Sequence, residues 1–297
     1  MRCHFDCNYE LVILESQMPI TETKIYALQQ AAATSPEYAA ITPLFVAVYN
    51  YLQGREGLTG ITIDLAGCNR AERTANGFPL ISPADLFIDR EMLIGFLLGL
   101  VKVLQQQGKE GDEALERISR ALSAGEIDPA PLLPAILERR RAPLDEVSLL
   151  LDVPAPLMEY IFEIPLKTAL EQCAADITED AFPNWQENVC PLCGSRPAMA
   201  ELSGDEGRRR LSCSACSYSW PFKRIKCPSC GCEDAEKLSY FTAGEGVTRV
   251  DTCRGCSRYI KTRDARKGGC EAPLEVEDLL TIHLDLLATR EGFERGK

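Results

Sequence analysis

The sequence predicts an α+β protein of several domains, in which an N-terminal all-α domain precedes two small metal-binding modules and a closing helix. Three observations lead to this prediction. Apolar residues recur at three-and-four spacing through residues 21–183, four Cys-x-x-Cys pairs fall within residues 190–256, and a last apolar stripe with helical spacing lies within residues 271–297. At 297 residues the chain is long enough for two or more domains.

The N-terminal part divides into a tail and a helical domain. Residues 1–20 are expected to be a flexible tail, and residues 21–183 the helical domain, whose pattern begins near Thr23. Cys3 and Cys7 lie in the tail and stay without an assigned role.

The strongest helical pattern runs through residues 89–107 and predicts the central helix of this domain. Its apolar face comprises Met92, Leu93, Phe96, Leu97, Leu100, Val101 and Leu104. Pro43 is expected to split the helix at residues 38–53, and Pro165 to kink the last long helix, because proline lacks the N–H that a helix interior needs. No strand-like alternation is expected before residue 190.

Four cysteine pairs carry the chemistry that the sequence predicts. They are Cys190/Cys193, Cys213/Cys216, Cys227/Cys230 and Cys253/Cys256. Two thiolates two residues apart hold one metal ion from one tight turn, and two such turns complete a tetrahedron. The eight cysteines therefore predict two metal ions, each bound by four Cys, and both iron and zinc suit such ligands.

Each half of this cysteine-rich segment has the order turn, hairpin, turn. The first turn continues into Gly194 in one half and Gly231 in the other, and glycine tolerates the positive φ of a tight metal-binding turn. The expected hairpin strands are 197–202 with 208–213, and 238–242 with 247–252. This order is typical of rubredoxin-like or zinc-ribbon modules. We expect a first module at residues 184–225 and a second at 226–270, with sequential pairing of the cysteine turns; a cross-braced pairing of the first turn with the third is the alternative.

Charge is spread unevenly along the chain. The net charge is −12, yet residues 190–270 alone carry +6. Two bound dications held by eight thiolates would subtract about four charges and leave the modules nearly neutral. Nucleic-acid binding, which the basic runs at 208–210 and 223–226 suggest, is therefore disfavoured.

Other features limit the function further. The longest apolar run, Met92 to Val101, is too short to cross a bilayer, so no membrane insertion is expected. Cys-x-x-Cys spacing in a chain with no export signal favours metal thiolates in a reducing cytosol. No catalytic motif is recognisable, and His283 is interpreted as a helix-packing residue. Cys68 and Cys173 are interpreted as small buried residues.

Five stretches of the C-terminal third extend beyond the cysteine pairs themselves. They read CPLCGS from Cys190, RLSCSACSYSW from Arg210, RIKCPSCG from Arg224, TCRGCSRYIKT from Thr252 and DLLATREGF from Asp285. Together they resemble the formate dehydrogenase accessory (formation) protein family, FdhE. The specific part of the resemblance covers roughly residues 185–295, and the eight paired cysteines match the family's four Cys-x-x-Cys motifs.

The resemblance implies a cytoplasmic accessory protein, not an enzyme, that binds the catalytic subunit of a respiratory formate dehydrogenase and is needed for its activity. It also implies rubredoxin-like sites with which iron is associated. Tyr218 and Trp220 are either anchors for the partner or packed within the module, and Arg224 and Lys226 are candidates to meet an acidic patch. The alternatives are a nucleic-acid-binding zinc-ribbon protein and an iron-based redox carrier or sensor.

Two further cysteines, Cys232 and Cys270, lie outside the motifs and stay unassigned.

Overall fold

A computed structural model describes most of the chain. The described residues are 20–66, 69–108, 111–178, 181–244, 246–268 and 272–296. The interpretations of Cys3, Cys7, Cys68 and Cys270, and of the tail before Ile20, therefore lie outside the described residues.

Helices make up most of the chain between residues 20 and 178. They are α1 (Ile20–Thr34), α2 (Pro36–Ala39), α3 (Thr42–Leu52), α4 (Arg70–Ala75), α5 (Arg90–Gln107), α6 (Asp112–Ala124), α7 (Leu132–Leu137), α8 (Ala142–Leu151) and α9 (Ala155–Ala175). The split expected at Pro43 separates α2 from α3, and Pro43 lies in the first turn of α3, where its missing N–H has no helical partner to lose. Pro165 lies inside α9, which continues through it.

The central helix is α5, as predicted. Asp89 caps its N-terminus by accepting a hydrogen bond from the Met92 N–H at 3.0 Å. The predicted apolar face is buried except for Met92, which is 40% exposed. A Cβ at Gly99 would collide with the Tyr51 hydroxyl, so this glycine lets the Tyr51 ring pack against the helix.

Two short strands lie within the helical part, where none was expected. Strands β1 (Ile61–Ile63) and β2 (Leu86–Ile88) pair in antiparallel register. Three residues are too few for an alternation of apolar and polar residues to be recognised in a sequence. Each of these strands forms because the other lies beside it in the folded chain. The expectation of no strand before residue 190 is wrong at these two segments.

The C-terminal part forms one continuous sheet of seven strands. They are β3 (Pro197–Ser203), β4 (Arg208–Cys213), β5 (Ser219–Pro221), β6 (Leu238–Phe241), β7 (Thr248–Cys253), β8 (Arg258–Asp264) and β9 (Glu294–Arg295). Their order is β5-β4-β3-β8-β7-β6, with β9 also paired to β8. The hairpins β3–β4 and β6–β7 confirm the predicted pairs to within two residues at each end.

The two modules are joined by a parallel pairing that the sequence did not predict. Strand β3 of the first module pairs with β8 of the second, with Met199 opposite Lys261 and Leu202 opposite Asp264. Strands β5 and β8, each after the second cysteine turn of its module, were not expected either.

The closing segment is two helices rather than one. Helix α10 (Leu274–Leu280) and helix α11 (Ile282–Arg290) meet at Thr281, whose hydroxyl donates to the Glu277 carbonyl at 2.7 Å. Val276 of α10 packs against helices α1 and α3 of the N-terminal part. Leu284 and Ala288 of α11 pack against strands β7 and β8.

The closing segment thus contacts both the helical part and the second module. His283 is exposed, so the interpretation of this residue as a packing histidine is wrong.

A buried lysine fastens the closing segment to the sheet. The Lys261 side chain is fully buried, and its ammonium contacts Asp278 at 2.8 Å and Asp285 at 2.6 Å. Arg295 contacts the same two carboxylates from strand β9. A buried charge is costly unless it is paired and hydrogen-bonded, so these contacts are needed for the strand and helices to meet.

The fold class is confirmed, with a helical N-terminal region, a C-terminal sheet that carries the cysteine pairs and helices at the end. No helix in the described parts of the chain is both long and apolar enough to cross a membrane.

Candidate metal centres

The first cysteine turns of the two modules have the same backbone geometry. The Gly194 N–H donates to the Cys190 carbonyl at 2.9 Å, and the Gly231 N–H donates to the Cys227 carbonyl at the same distance. Both glycines have φ of 75°. A side chain would strain this left-handed conformation, which explains why the first Cys-x-x-Cys pair of each module is followed by glycine.

The second turns also match each other, but they end on serine. Ser217 has φ of 57° and Ser257 has φ of 54°. A left-handed non-glycine residue costs on the order of 1 kcal/mol, which the surrounding contacts must offset. The preceding turn of the first site directs the N–H groups of Ala215 and Cys216 at the Cys213 sulfur, at 3.3 and 3.5 Å.

The sulfur atoms gather in two groups of four. One contains Cys190, Cys193, Cys213 and Cys216, and the other contains Cys227, Cys230, Cys253 and Cys256; within each group the Sγ atoms all lie within 4.8 Å of one another. The predicted sequential pairing of turns is confirmed, and the cross-braced alternative is wrong. We call these groups site 1 and site 2.

The distances between sulfur atoms fit a metal ion. In a tetrahedron with metal–sulfur bonds of about 2.3 Å, neighbouring sulfur atoms lie about 3.8 Å apart. In site 2 the two measured Sγ–Sγ distances, Cys227–Cys256 and Cys230–Cys253, are both 3.8 Å. In site 1 the measured distances are slightly shorter, 3.5 to 3.6 Å. Four thiolates at these distances suit zinc or iron equally, so the donor set leaves the metal open.

Site 1 lies inside the hydrophobic core. Its four cysteines are at most 4% exposed, and they belong to the same buried cluster as helices α5 and α9. The N–H groups of Leu80 and Ile81 donate to the carbonyls of Pro191 and Leu192 at 2.8 Å, so the helical part holds the first turn by its backbone. Pro79 packs where a Cβ on Gly194 would lie.

Burial shapes the acidity of the thiols of site 1. It raises the pKa of Cys190 and Cys216 well above the usual value for a thiol. Hydrogen bonds from the other three thiols of the site hold the pKa of Cys193 well below that value. A bound dication would displace the remaining protons and compensate the buried thiolates, which is how a four-cysteine site couples metal binding to folding.

Site 2 lies at the surface of the second module. Cys230 is exposed and Cys256 is half-buried, whereas Cys227 and Cys253 are buried. Burial raises the pKa of Cys253 to about 11. Burial also acts to raise the pKa of Cys230, but the Cys232 N–H and the neighbouring thiols outweigh it and the pKa is lowered.

Cys232 places a fifth sulfur close to site 2. A Cβ built on Gly255, between Cys253 and Cys256, would lie 3.8 Å from the Cys232 sulfur and 3.4 Å from the Cys253 sulfur. Cys232 lies outside the Cys-x-x-Cys pairs, so the sequence pattern assigned it no role. It comes close to site 2 because the second turn folds back over the first.

A polar network ties site 1 to the helices. The Ser217 hydroxyl, at the end of the second turn, donates to Glu171 of α9 at 2.6 Å. Glu171 pairs with Lys24 of α1 at 3.0 Å, and Lys24 pairs in turn with Glu275 of α10 at 2.6 Å. Glu275 also contacts Lys167 at 2.8 Å. No sequence motif identifies this network, because its members lie far apart in the chain.

The aromatic pair after the second turn is packed inside. Trp220 is fully buried and Tyr218 is 6% exposed, and the Tyr218 hydroxyl donates to the Thr178 carbonyl at 3.0 Å. The interpretation of these residues as partner anchors is wrong, and the alternative, packing within the module, is confirmed. Cys173 is partly buried against the core, as expected.

Fold and sites together define an α+β protein with two four-cysteine groups that can each hold a metal ion, one in the core and one at the surface. No protein-family model matches the chain. A protein FdhE homolog from Aquifex aeolicus is 28% identical over 240 residues, which cover 80% of this chain and 78% of that relative.

Shorter matches and a solved structure agree with it. A protein FdhE homolog from Pseudomonas aeruginosa is 34% identical over 48% of each chain, and one from Edwardsiella ictaluri is 34% identical over 37% of this chain and 36% of the relative. The crystal structure of the FdhE protein from Pseudomonas aeruginosa superposes with a TM-score of 0.65 at 20% identity, over 93% of this chain and 92% of that one. The chain is similar in sequence to proteins named FdhE, and the resemblance drawn from its motifs is confirmed.

Proposed function

We propose that this chain is an accessory protein that binds the catalytic subunit of a respiratory formate dehydrogenase in the cytoplasm and is needed for that enzyme to become active. It catalyses no reaction of its own. Each four-cysteine site holds one iron or zinc ion. The working units are the helical domain at 21–183, the modules at 184–225 and 226–270, and the closing segment at 271–297.

The observation that supports this proposal most is the surface around site 2. Beside the exposed Cys230, the link between the modules exposes Ile225, which is 58% accessible, together with Lys223 and Arg224. Tyr240 on strand β6 is 61% accessible. Exposed apolar, aromatic and basic side chains on a module held rigid by a metal site are typical of a protein-binding surface. A rigid surface also loses little conformational entropy on binding.

Two alternatives are less well supported. The basic run 208–210 does not form a surface patch for nucleic acid, because Arg209 is buried beside Asp251 and Arg210 donates to the Ser219 carbonyl at 2.7 Å. A redox role through iron is compatible with the accessible Cys230 of site 2. It fits best as a property of the accessory protein.

The test is an anaerobic pull-down from cells that make the dehydrogenase. The metal-loaded protein should retain the catalytic subunit, and Ile225→Glu should reduce the amount retained at least tenfold. Leu149→Glu is the matched control, because Leu149 is 82% exposed on helix α8 of the helical part, and it should retain the subunit fully.

The proposal is wrong if the metal-loaded protein retains no catalytic subunit and deletion of its gene leaves formate oxidation intact. Binding to DNA or RNA that weakens steeply with salt would instead favour the nucleic-acid alternative.

A further inference from the structure

A cleft of about 950 Å³ opens between the helical part, the first module and the closing segment. Ile20, Ile136 and Leu274 give it exposed or partly exposed apolar surface, and the buried Leu144, Leu166 and Met199 also line it. Cys213 of site 1 also lies at its edge. The volume is within the range of roughly 300 to 1,000 Å³ that is usual for small-molecule sites.

The cleft is basic although the chain as a whole is acidic. Its lining residues include eight cations, namely Lys24, Arg139, Arg140, Arg141, Lys167, Arg196, Arg263 and Arg295. They include five carboxylates, namely Glu159, Glu163, Glu201, Glu275 and Asp278. The positive excess of the cleft contrasts with the net charge of −12 and attracts an anion to it.

Six of the eight cations already have a carboxylate partner. The pairs are Lys24–Glu275, Lys167–Glu275, Arg140–Glu138, Arg141–Glu159, Arg263–Glu201 and Arg295–Asp278. Arg139 and Arg196 have none among the residues that the structure describes.

Most of the guanidinium N–H groups of these two arginines remain available to a ligand. Arg139 donates one hydrogen bond, to the Gly194 carbonyl at 2.9 Å, and Arg196 donates one, to the Ser229 carbonyl at 3.4 Å. A guanidinium has five N–H donors, so four remain on each. The two guanidinium groups carry the same charge and repel each other, and an anion between them would relieve that repulsion.

We propose that Arg139 and Arg196 form a binding site for a small organic anion, in which a carboxylate or phosphate group is joined to an apolar body. The planar fork of arginine matches both oxyanions in geometry and charge. The accessible apolar side chains of the cleft take the apolar body. Arg139 belongs to the helical part and Arg196 to the first module, so the ligand bridges the two.

The site adjoins metal site 1. Arg139 holds the carbonyl of Gly194, the residue that follows Cys193, so an anion bound to Arg139 lies next to the first metal-binding turn.

Isothermal titration calorimetry tests the proposal with hexyl phosphate and octanoate, at constant ionic strength in chloride. Inorganic phosphate and acetate serve as probes without an apolar body. We expect one of the two amphiphilic anions to bind at least tenfold tighter than its small counterpart, and the better of them identifies the oxyanion. Arg196→Gln should weaken binding at least tenfold, which is about 1.4 kcal/mol.

Arg140→Gln is the matched control, because Arg140 lines the same cleft but pairs with Glu138, and its affinity should stay within twofold of the original. Arg139→Gln should weaken binding as Arg196→Gln does. Metal content is measured for each variant, and Arg196→Gln decides the outcome if Arg139→Gln loses metal. Absence of binding to all four probes, equal affinity in Arg196→Gln, or binding only to an acidic peptide would overturn the proposal.

Discussion

The two metal sites share their local geometry and differ in their surroundings. Both first turns end on a glycine with φ of 75°, and both second turns end on a left-handed serine. Site 1 nevertheless lies in the main hydrophobic core, whereas Cys230 of site 2 is exposed. The same local sequence pattern therefore builds one site that lies in the core of the fold and one that faces solvent.

This difference separates two roles that a four-cysteine site can have. Around site 1, the helical part donates backbone hydrogen bonds to the metal-binding turn, so a metal there stabilises both halves of the molecule. Around site 2, a metal stabilises the second module and shapes its exposed edge. Three pairs of variants test this contrast.

The largest effect is expected from removing one ligand of each site in turn. Cys193→Ser should lose one metal equivalent and, because site 1 is part of the core, destabilise the whole fold by on the order of 5 kcal/mol or make it insoluble. Cys230→Ser should also lose one equivalent but keep the helical content and most of the stability. Metal analysis, circular dichroism and thermal unfolding measure these outcomes.

Chelation provides the control for this contrast. In the unaltered protein, a chelator should remove one metal at least tenfold faster than the other, and Cys230→Ser should lack the fast phase. Equal destabilisation by the two substitutions, or a single release phase for both metals, would contradict the distinction between a core site and a surface site.

The second test concerns Glu275, which connects the closing segment to the helices on the side of site 1. Burial raises its pKa, but Lys167 and Lys24 outweigh burial and lower the pKa to about 2, from the ordinary value of 4.5. Its contribution to stability is therefore fully present above about pH 4.5 and is lost as the pH falls toward 2. Glu275→Gln should destabilise the protein by about 2 kcal/mol at pH 7.

The matched control is Glu294→Gln on the side of site 2. Glu294 pairs with Arg258 at 3.7 Å, but its side chain is 78% exposed, so the change should stay within about 0.5 kcal/mol. Urea unfolding of both variants between pH 7 and 3 measures these effects. If the loss of unfolding free energy in Glu275→Gln does not become smaller below pH 4.5, the result would contradict the assigned pKa.

The smallest effect compares the serines that end the second turns. Glycine relieves the left-handed strain but adds freedom to the unfolded chain, so Ser257→Gly should change stability by less than about 0.5 kcal/mol. Ser217→Gly should destabilise by about 1 kcal/mol, because it also loses the hydrogen bond to Glu171. The difference between the two changes in unfolding free energy measures the contribution of the hydrogen bond that joins site 1 to helix α9. Equal changes in the two variants would show that this hydrogen bond adds no stability.

Much of the site was predictable because its determinants are local. Cysteine spacing specifies each turn, the following glycine supports the first turn of each module, and the turn-rich segments between the turns specify the hairpins, so all eight cysteines were grouped correctly from the sequence. The spacing of apolar residues that predicted α5 is equally local. Of the residues on its predicted apolar face, only Met92 in the first turn is exposed.

The rest depends on partners distant in the chain. The pairing of β3 with β8 joins residues in different modules, and neither strand's own pattern reveals it. The burial of site 1 and the exposure of site 2 follow from which surface the helical part covers, whereas both sites have the same Cys-x-x-Cys spacing within their pairs. The break between α10 and α11 arises because one half packs on helices and the other on the sheet.

The parallel pairing of β3 with β8 has a consequence for synthesis of the chain. Sixty-two residues separate Glu201 on β3 from Arg263 on β8. At a translation rate of about 5 to 20 residues per second, β3 keeps an open edge for several seconds after it emerges from the ribosome. An open edge is a template for wrong pairing. We therefore expect the nascent first module to be prone to aggregation until the second module follows, and the basic Arg208–Arg210 on the adjacent strand to keep neighbouring chains apart.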